Sequence, residues 1–333
     1  MPLRTLILPC CLCALAAAAS AETPLEVGYR QMYDLQFAAA HRTFADWQNT
    51  HPDDPMGPAS DAAAYLFAEF DRLHILQSEF FIHEQHFMTD HKLAPDPVAK
   101  RKFDAALDAT RRLAARSPQN PDCQFAMILA NGLHSDYLAL IEKRYAASFQ
   151  EMKASRVVAE RLLDAHPGMY DAWIAIGVEN YMLSVRPLCL RLLFRLAGGE
   201  TDKAVGIEKL KLTSEKGHYL APFAKLLLAV AALRDHDTWR ARTLLQGLVR
   251  EYPHNPLYAQ ELARLSPTAA AGGMRRSKEY RIQEQYVQPI HITSEIRIGG
   301  ESDHVAAAFP LHHFERLERQ LLAILGPHIP ARH

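Results

Sequence analysis

The side chains of this chain best equipped for chemistry are the imidazoles of His83-Glu84-Gln85-His86, with His91 just beyond. On a helix His83 and His86 share a face, and Glu79 or Asp90 would add a carboxylate to a divalent-metal ligand set. Zinc hydrolases of the helical kind space their histidines four apart with a glutamate base between them, whereas here the separation is three. The plain reading is therefore the polar end of a long helix. A metal-binding protein or metal-dependent hydrolase built on His83, His86 and His91 is the alternative. His312 and His313 are adjacent and diverge on a helix. No nucleophile elbow, phosphate-cradling glycine loop or Cys–His arrangement is present, so no catalytic centre and no cofactor are expected. Gly198-Gly199 and Gly272-Gly273 read as helix stops.

The elements that would position any site are helices in pairs. Tyr170-Asp171-Ala172-Trp173-Ile174-Ala175-Ile176-Gly177 carries the Trp and Gly, four apart, of a tetratricopeptide (TPR) unit of about 34 residues, in which Pro closes the turn. Setting each turn proline at repeat position 32 gives a fixed register. Pro52 then places Gly28, Ala40 and Phe44 at positions 8, 20 and 24, and Pro167 places Trp173 and Gly177 at positions 4 and 8 of the next unit. Pro253 places Leu228 and Ala241 at positions 7 and 20, while Pro118 matches through Ala106 and little else. The expected fold class is all-α, a TPR-like α-α superhelix with inserted helices. One long apolar-striped helix is expected over 60–93, capped by Ser60 and Asp61 and returned by 98–116. Inserted helices are expected at 187–197 and 202–216, and a further pair at 222–234 and 238–251. Beyond Ser266 the pattern turns irregular, with an extended segment from Ile290 to Ile298 and a capping helix bearing Leu311, Phe314, Leu317 and Leu321.

In such a stack the first helix of each pair lines the concave side, at repeat positions 2, 5, 9, 12 and 13. Those positions hold Leu25, Tyr29, Met32 and Tyr33, then Phe125, Leu129 and Leu133, then Ile174, Val178, Tyr181 and Met182. They are almost all apolar, which disfavours recognition of an acidic peptide terminus and points to a protein or peptide partner of other chemistry. Two readings stay open: the chain fills its own groove with the helices around Leu188 to Leu212 or with its C-terminal arm, or an apolar peptide or lipid-like ligand is carried there. Asn131 and Asn180 share repeat position 11 and need buried partners. Leu188–Leu196, with Arg186, Arg191 and Arg195 interleaved, is a short basic amphipathic helix, suited to docking on the stack or to weak peripheral membrane contact.

Arg4, the apolar run Leu6 to Ala19 and Ala19-Ser20-Ala21 read as a secretory signal cleaved near Ala21, with a periplasmic or secreted product. The expected divisions are thus 1–21 signal peptide, 22–265 helical repeat domain and 266–333 C-terminal extension. Three of the five cysteines fall in the signal, leaving Cys123 and Cys189, which read as buried thiols with a bridge as the alternative. Basic and acidic residues balance at 37 against 38, so no overall field favours nucleic acid.

Over 170–255, Gly177-Val178-Glu179-Asn180-Tyr181-Met182-Leu183-Ser184, Arg186-Pro187-Leu188, Leu192-Leu193 and Gly198-Gly199 resemble the eukaryotic tetratricopeptide repeat protein 39 and inclusion-body clearance family. The resemblance implies a TPR-type solenoid with a non-enzymatic, adaptor-like role near lipid-associated partners. The export signal and the 266–333 tail depart from that family.

Overall fold

The computed structural model of the protein describes residues 22–76, 93–186 and 188–265. The expected signal segment, the His83–His91 run and the expected 266–333 extension lie outside the described residues. Among these residues there are twelve α-helices and no strand. They are α1 (Pro24–Tyr33), α2 (Phe37–Thr50), α3 (Met56–Arg72), α4 (Pro97–Ala114), α5 (Pro121–Asp136) and α6 (Tyr145–Ala165). Then follow α7 (Trp173–Ser184), α8 (Leu188–Leu196), α9 (Lys203–Lys216), α10 (Ala221–Arg234), α11 (Thr238–Glu251) and α12 (Pro256–Arg264). None of the described helices is long and apolar enough to cross a membrane.

Proline opens α1, α4, α5 and α12, where its missing N–H costs nothing, and Thr23, Asp96, Asn120 and Asn255 cap the adjoining N–H groups. Most of the described helices pack on a neighbour in the chain; α3 also packs against α5 and α1 against α3, and α7 packs mainly on α9. The turns repeat. His51, His166 and Tyr252, each followed by a proline, end α2, α6 and α11 in one conformation, φ/ψ being −132/65, −134/69 and −130/72. A following proline excludes the helical region for the residue before it, which stops the helix there. Within pairs, Leu35, His74, Lys143 and His236 all turn the chain with φ between 57° and 59°. After Leu35, His74 and His236 the next N–H reaches back five residues, Gln36 to Gln31, Ile75 to Phe70 and Asp237 to Ala232, which is the Schellman closure.

Two glycines singled out in the sequence sit at close contacts between helices. A Cβ on Gly28 would lie 2.2 Å from the ring of Phe44, and one on Gly177 would lie 3.0 Å from Leu210. Gly28→Ala is expected to cost about 1–3 kcal/mol by overpacking a core that has no slack. A lowered urea midpoint with an unchanged m-value would show it. Because Gly177 abuts α9, the partner of α7 is α9, and α8 is the inserted element.

One expectation is corrected. The helix expected over 60–93 begins at Met56, whose N–H is held by Asp54 (2.9 Å), and its last residue is Arg72. Ser60 and Asp61 lie inside it: Ser60 is buried and donates to the Tyr29 hydroxyl (3.4 Å), while Asp61 faces His41 (2.6 Å). The positive φ at His74 ends what an unbroken apolar stripe would continue. The helix α8 docks on its neighbours, packing Leu190 and Phe194 on Phe149 and Leu183 in a separate small cluster.

The first helix also meets the end of the array. Asp171, just before α7, accepts N–H groups of His218 (2.8 Å), Tyr219 (3.2 Å) and Leu220 (2.8 Å), seating the turn that starts α10. That turn puts the Tyr219 ring 5.0 Å from Tyr29 of α1. Asp34 at the end of α1 accepts the N–H of His254 (2.9 Å), and Asn255 donates to the Tyr33 carbonyl (2.8 Å). Buried carboxylate and amide groups thus tie the start of the described chain to the starts of α10 and α12.

Candidate functional site

Seven of the eleven groove residues expected from the sequence converge on one inner pocket: Tyr29, Met32 and Tyr33 from α1, Leu129 and Leu133 from α5, and Ile174 and Val178 from α7. Leu220 and Phe223 at the start of α10 close a further side. The pocket has a volume of about 80 Å³ and opens on one side. The α1 tyrosines are a shared wall, since Tyr29 and Tyr33 also line an outer polar cleft of about 310 Å³ with Glu22, Glu26, His218 and Glu251.

Phe125 and Tyr181 are placed elsewhere. Phe125 is buried with its ring parallel to that of Tyr219, 6.2 Å away at 20°. Tyr181 turns toward α9, where a Cβ on Gly206 would come within 2.6 Å of its backbone. Asn180 has its buried partners: it donates to the Ile176 carbonyl (3.2 Å) and to Glu200 (3.0 Å), and accepts from the Asp202 N–H (2.9 Å). With Arg156 on Glu179 (3.1 Å) and on the Gly198 carbonyl (3.0 Å), that network clamps the glycine break behind α8. Its role is architectural. Asn131 is buried and has no hydrogen-bond partner among the described residues.

No protein-family model, curated protein or solved structure matches this chain.

The residue that sequence reasoning missed is Asp136, the last of α5, from which the chain passes directly into a single π turn, Tyr137–Ile141. Interruptions of this kind recur at functional sites. Asp136, a partly exposed residue, lines the apolar pocket, and desolvation there pushes its carboxyl up from 3.8 to about 7. No ion pair or hydrogen bond reaches it from the described residues. Tyr33 also lines this pocket. Its hydroxyl is buried without a partner among the described residues, and burial holds its pKa well above the ordinary tyrosine range. The expected repeat register did not point to Asp136, although two of its lining positions hold Gly132, on the pocket wall, and Asp171, the anchor of the α10 turn.

Among the described residues no group of three or more His, Cys, Asp or Glu is arranged to hold a metal ion. Cys123 is a buried free thiol, and the side chain of Cys189 lies outside the described residues. On α8, Arg195 is tied back to the Thr201 hydroxyl (2.6 Å), while Leu192 and Leu196 are 52% and 78% exposed. Those two leucines are the side chains on which a peripheral membrane contact would rest.

Proposed function

We propose that this protein is an exported, non-enzymatic binding module of the TPR-like helical-repeat kind, which takes a protein or peptide partner at the inner pocket. The observation that carries the reading is the convergence of side chains from the first helices of three units, α1, α5 and α7, on one apolar pocket open to solvent. Packing of helices on their chain neighbours, the recurring turn geometry and the glycines at repeat position 8 support the repeat assignment. The inserted α8 and its Gly198 stop, at φ 81°, are the features that favour kinship with the tetratricopeptide repeat protein 39 type. A peptide fits an opening of this size better than a whole lipid, because it needs to insert only one side chain.

The test is a photo-crosslinking residue placed at Val178 in the pocket or at Trp239, which is 76% exposed on α11, in the protein expressed in its own cells. Val178 is expected to yield an adduct that maps to one short segment of a single partner and disappears with Leu129→Asp. Equal adducts from both positions, or an adduct indifferent to Leu129→Asp, would rule the reading out. N-terminal sequencing of the same material is expected to begin near Glu22.

A further inference from the structure

We propose that the inner pocket is a site for a cationic nitrogen on a short aliphatic stem, with Asp136 as its counter-charge. The inference rests on the binding reading above and specifies the chemistry of what is bound.

The walls are apolar and their other polar groups are already satisfied. Ser135 donates to the Ser148 carbonyl (3.0 Å), Ser155 to the Ile128 carbonyl (2.9 Å), and the Tyr29 hydroxyl is engaged by Ser60 (3.4 Å). Two groups on the lining residues are left over, one from α5 and one from α1. One is the Asp136 carboxyl; the other is the hydroxyl of Tyr33, a residue only 3% exposed. An ionised carboxyl in apolar surroundings is costly unless something pairs with it, and nothing among the described residues does. A cation supplies that pairing, a neutral alcohol supplies only a hydrogen bond, and a second carboxylate adds repulsion.

Space is provided for the stem as well. Gly132 lies one helical turn before Asp136 on the pocket wall, and a Cβ there would meet nothing nearer than the Ser155 hydroxyl at 4.0 Å. Nothing packs into the space that a side chain at 132 would fill, although glycine is a poor residue for a helix interior. The volume of about 80 Å³ is roughly half of the ~150 Å³ that holds benzene, which suits a stem of a few methylenes with the remainder leaving through the open side. A lysine side chain and a free alkylamine share this chemistry.

The experiment titrates the mature chain at pH 8 with n-butylamine, butan-1-ol and butyrate, and follows the methyl NMR signals of Ile128 and Ile174, both on the pocket wall. Butylamine is expected to shift both methyls saturably, the alcohol at least tenfold more weakly, and butyrate not at all. Asp136→Asn is expected to bring the amine down to the affinity of the alcohol, while Gly132→Leu abolishes both. A blocked Ala-Lys-Ala peptide that competes with butylamine assigns the site to a lysine side chain; butylamine binding without such competition assigns it to a free amine. Equal affinity for amine and alcohol, an amine preference that survives in Asp136→Asn, or no response to any probe overturns the proposal. Those outcomes leave the Val178 crosslink untouched, so failure of the ligand class is distinguishable from failure of the binding role.

Discussion

Asp171→Ala is expected to lower the unfolding free energy by roughly 3 kcal/mol, among the largest losses open to a single side chain outside the hydrophobic core. Its carboxylate receives three consecutive backbone N–H groups, of His218, Tyr219 and Leu220, where α10 has no capping side chain of its own. Removing one capping side chain costs about 1 kcal/mol, and stranding further buried donors adds a similar amount for each. Asp171→Asn keeps one acceptor oxygen and should lose less than half as much. The effect reaches the pocket, because the turn held by Asp171 carries Tyr219 against Tyr29 and places Leu220 on the pocket wall. Urea unfolding measures the loss, and near-UV circular dichroism should report altered tyrosine packing. Unfolding curves that superimpose on wild type would show that the turn is held by something other than Asp171.

Asp136→Asn is expected to do the opposite, and only above acidic pH. The carboxyl titrates at about 7 in the fold against 3.8 for the ordinary side chain, so between those values the folded protein binds more protons than the unfolded chain. Stability contributed by this group is complete below pH 3.8 and is lost as pH rises toward 7. The neutral amide escapes that loss. The variant should match wild type near pH 4 and exceed it at pH 8 by on the order of 2 kcal/mol, less than the full shift because the pocket mouth admits water. Thermal unfolding across pH 4–8 reads both arms. A variant less stable than wild type at pH 8 would mean that the carboxylate has a stabilising partner. A stabilising amide would mark Asp136 as a residue kept at the expense of the fold, as functional groups commonly are.

Much of the helical layout was legible because it is written locally. The residues before Pro52, Pro167 and Pro253 end their helices through a steric clash that needs no tertiary partner, and Gly198 stops α8 for a similarly local reason. The boundaries of α8 to α11 fall within a residue or two of the expected positions for that reason. The helix expected over 60–93 failed where local information is silent. His74 takes a left-handed conformation that a histidine does not advertise, and the apolar stripe runs on regardless.

Residue type and spacing by themselves determined that the described chain would be helical and brought forward Tyr29, Met32, Tyr33, Leu129, Ile174 and Val178, which line one pocket. Periodicity specifies which face of a helix is apolar, since that follows from the chain's own geometry. Only the tertiary structure decided that α1 meets the turns before α10 and α12, that Phe125 and Tyr181 leave the pocket, and that Asp136 stands in it without a partner. Pairings such as Asp34 with His254 join residues more than two hundred positions apart, and the charge state of Asp136 depends on what is absent around it. Neither a long-range contact nor an unpaired carboxyl leaves a periodic trace along a sequence.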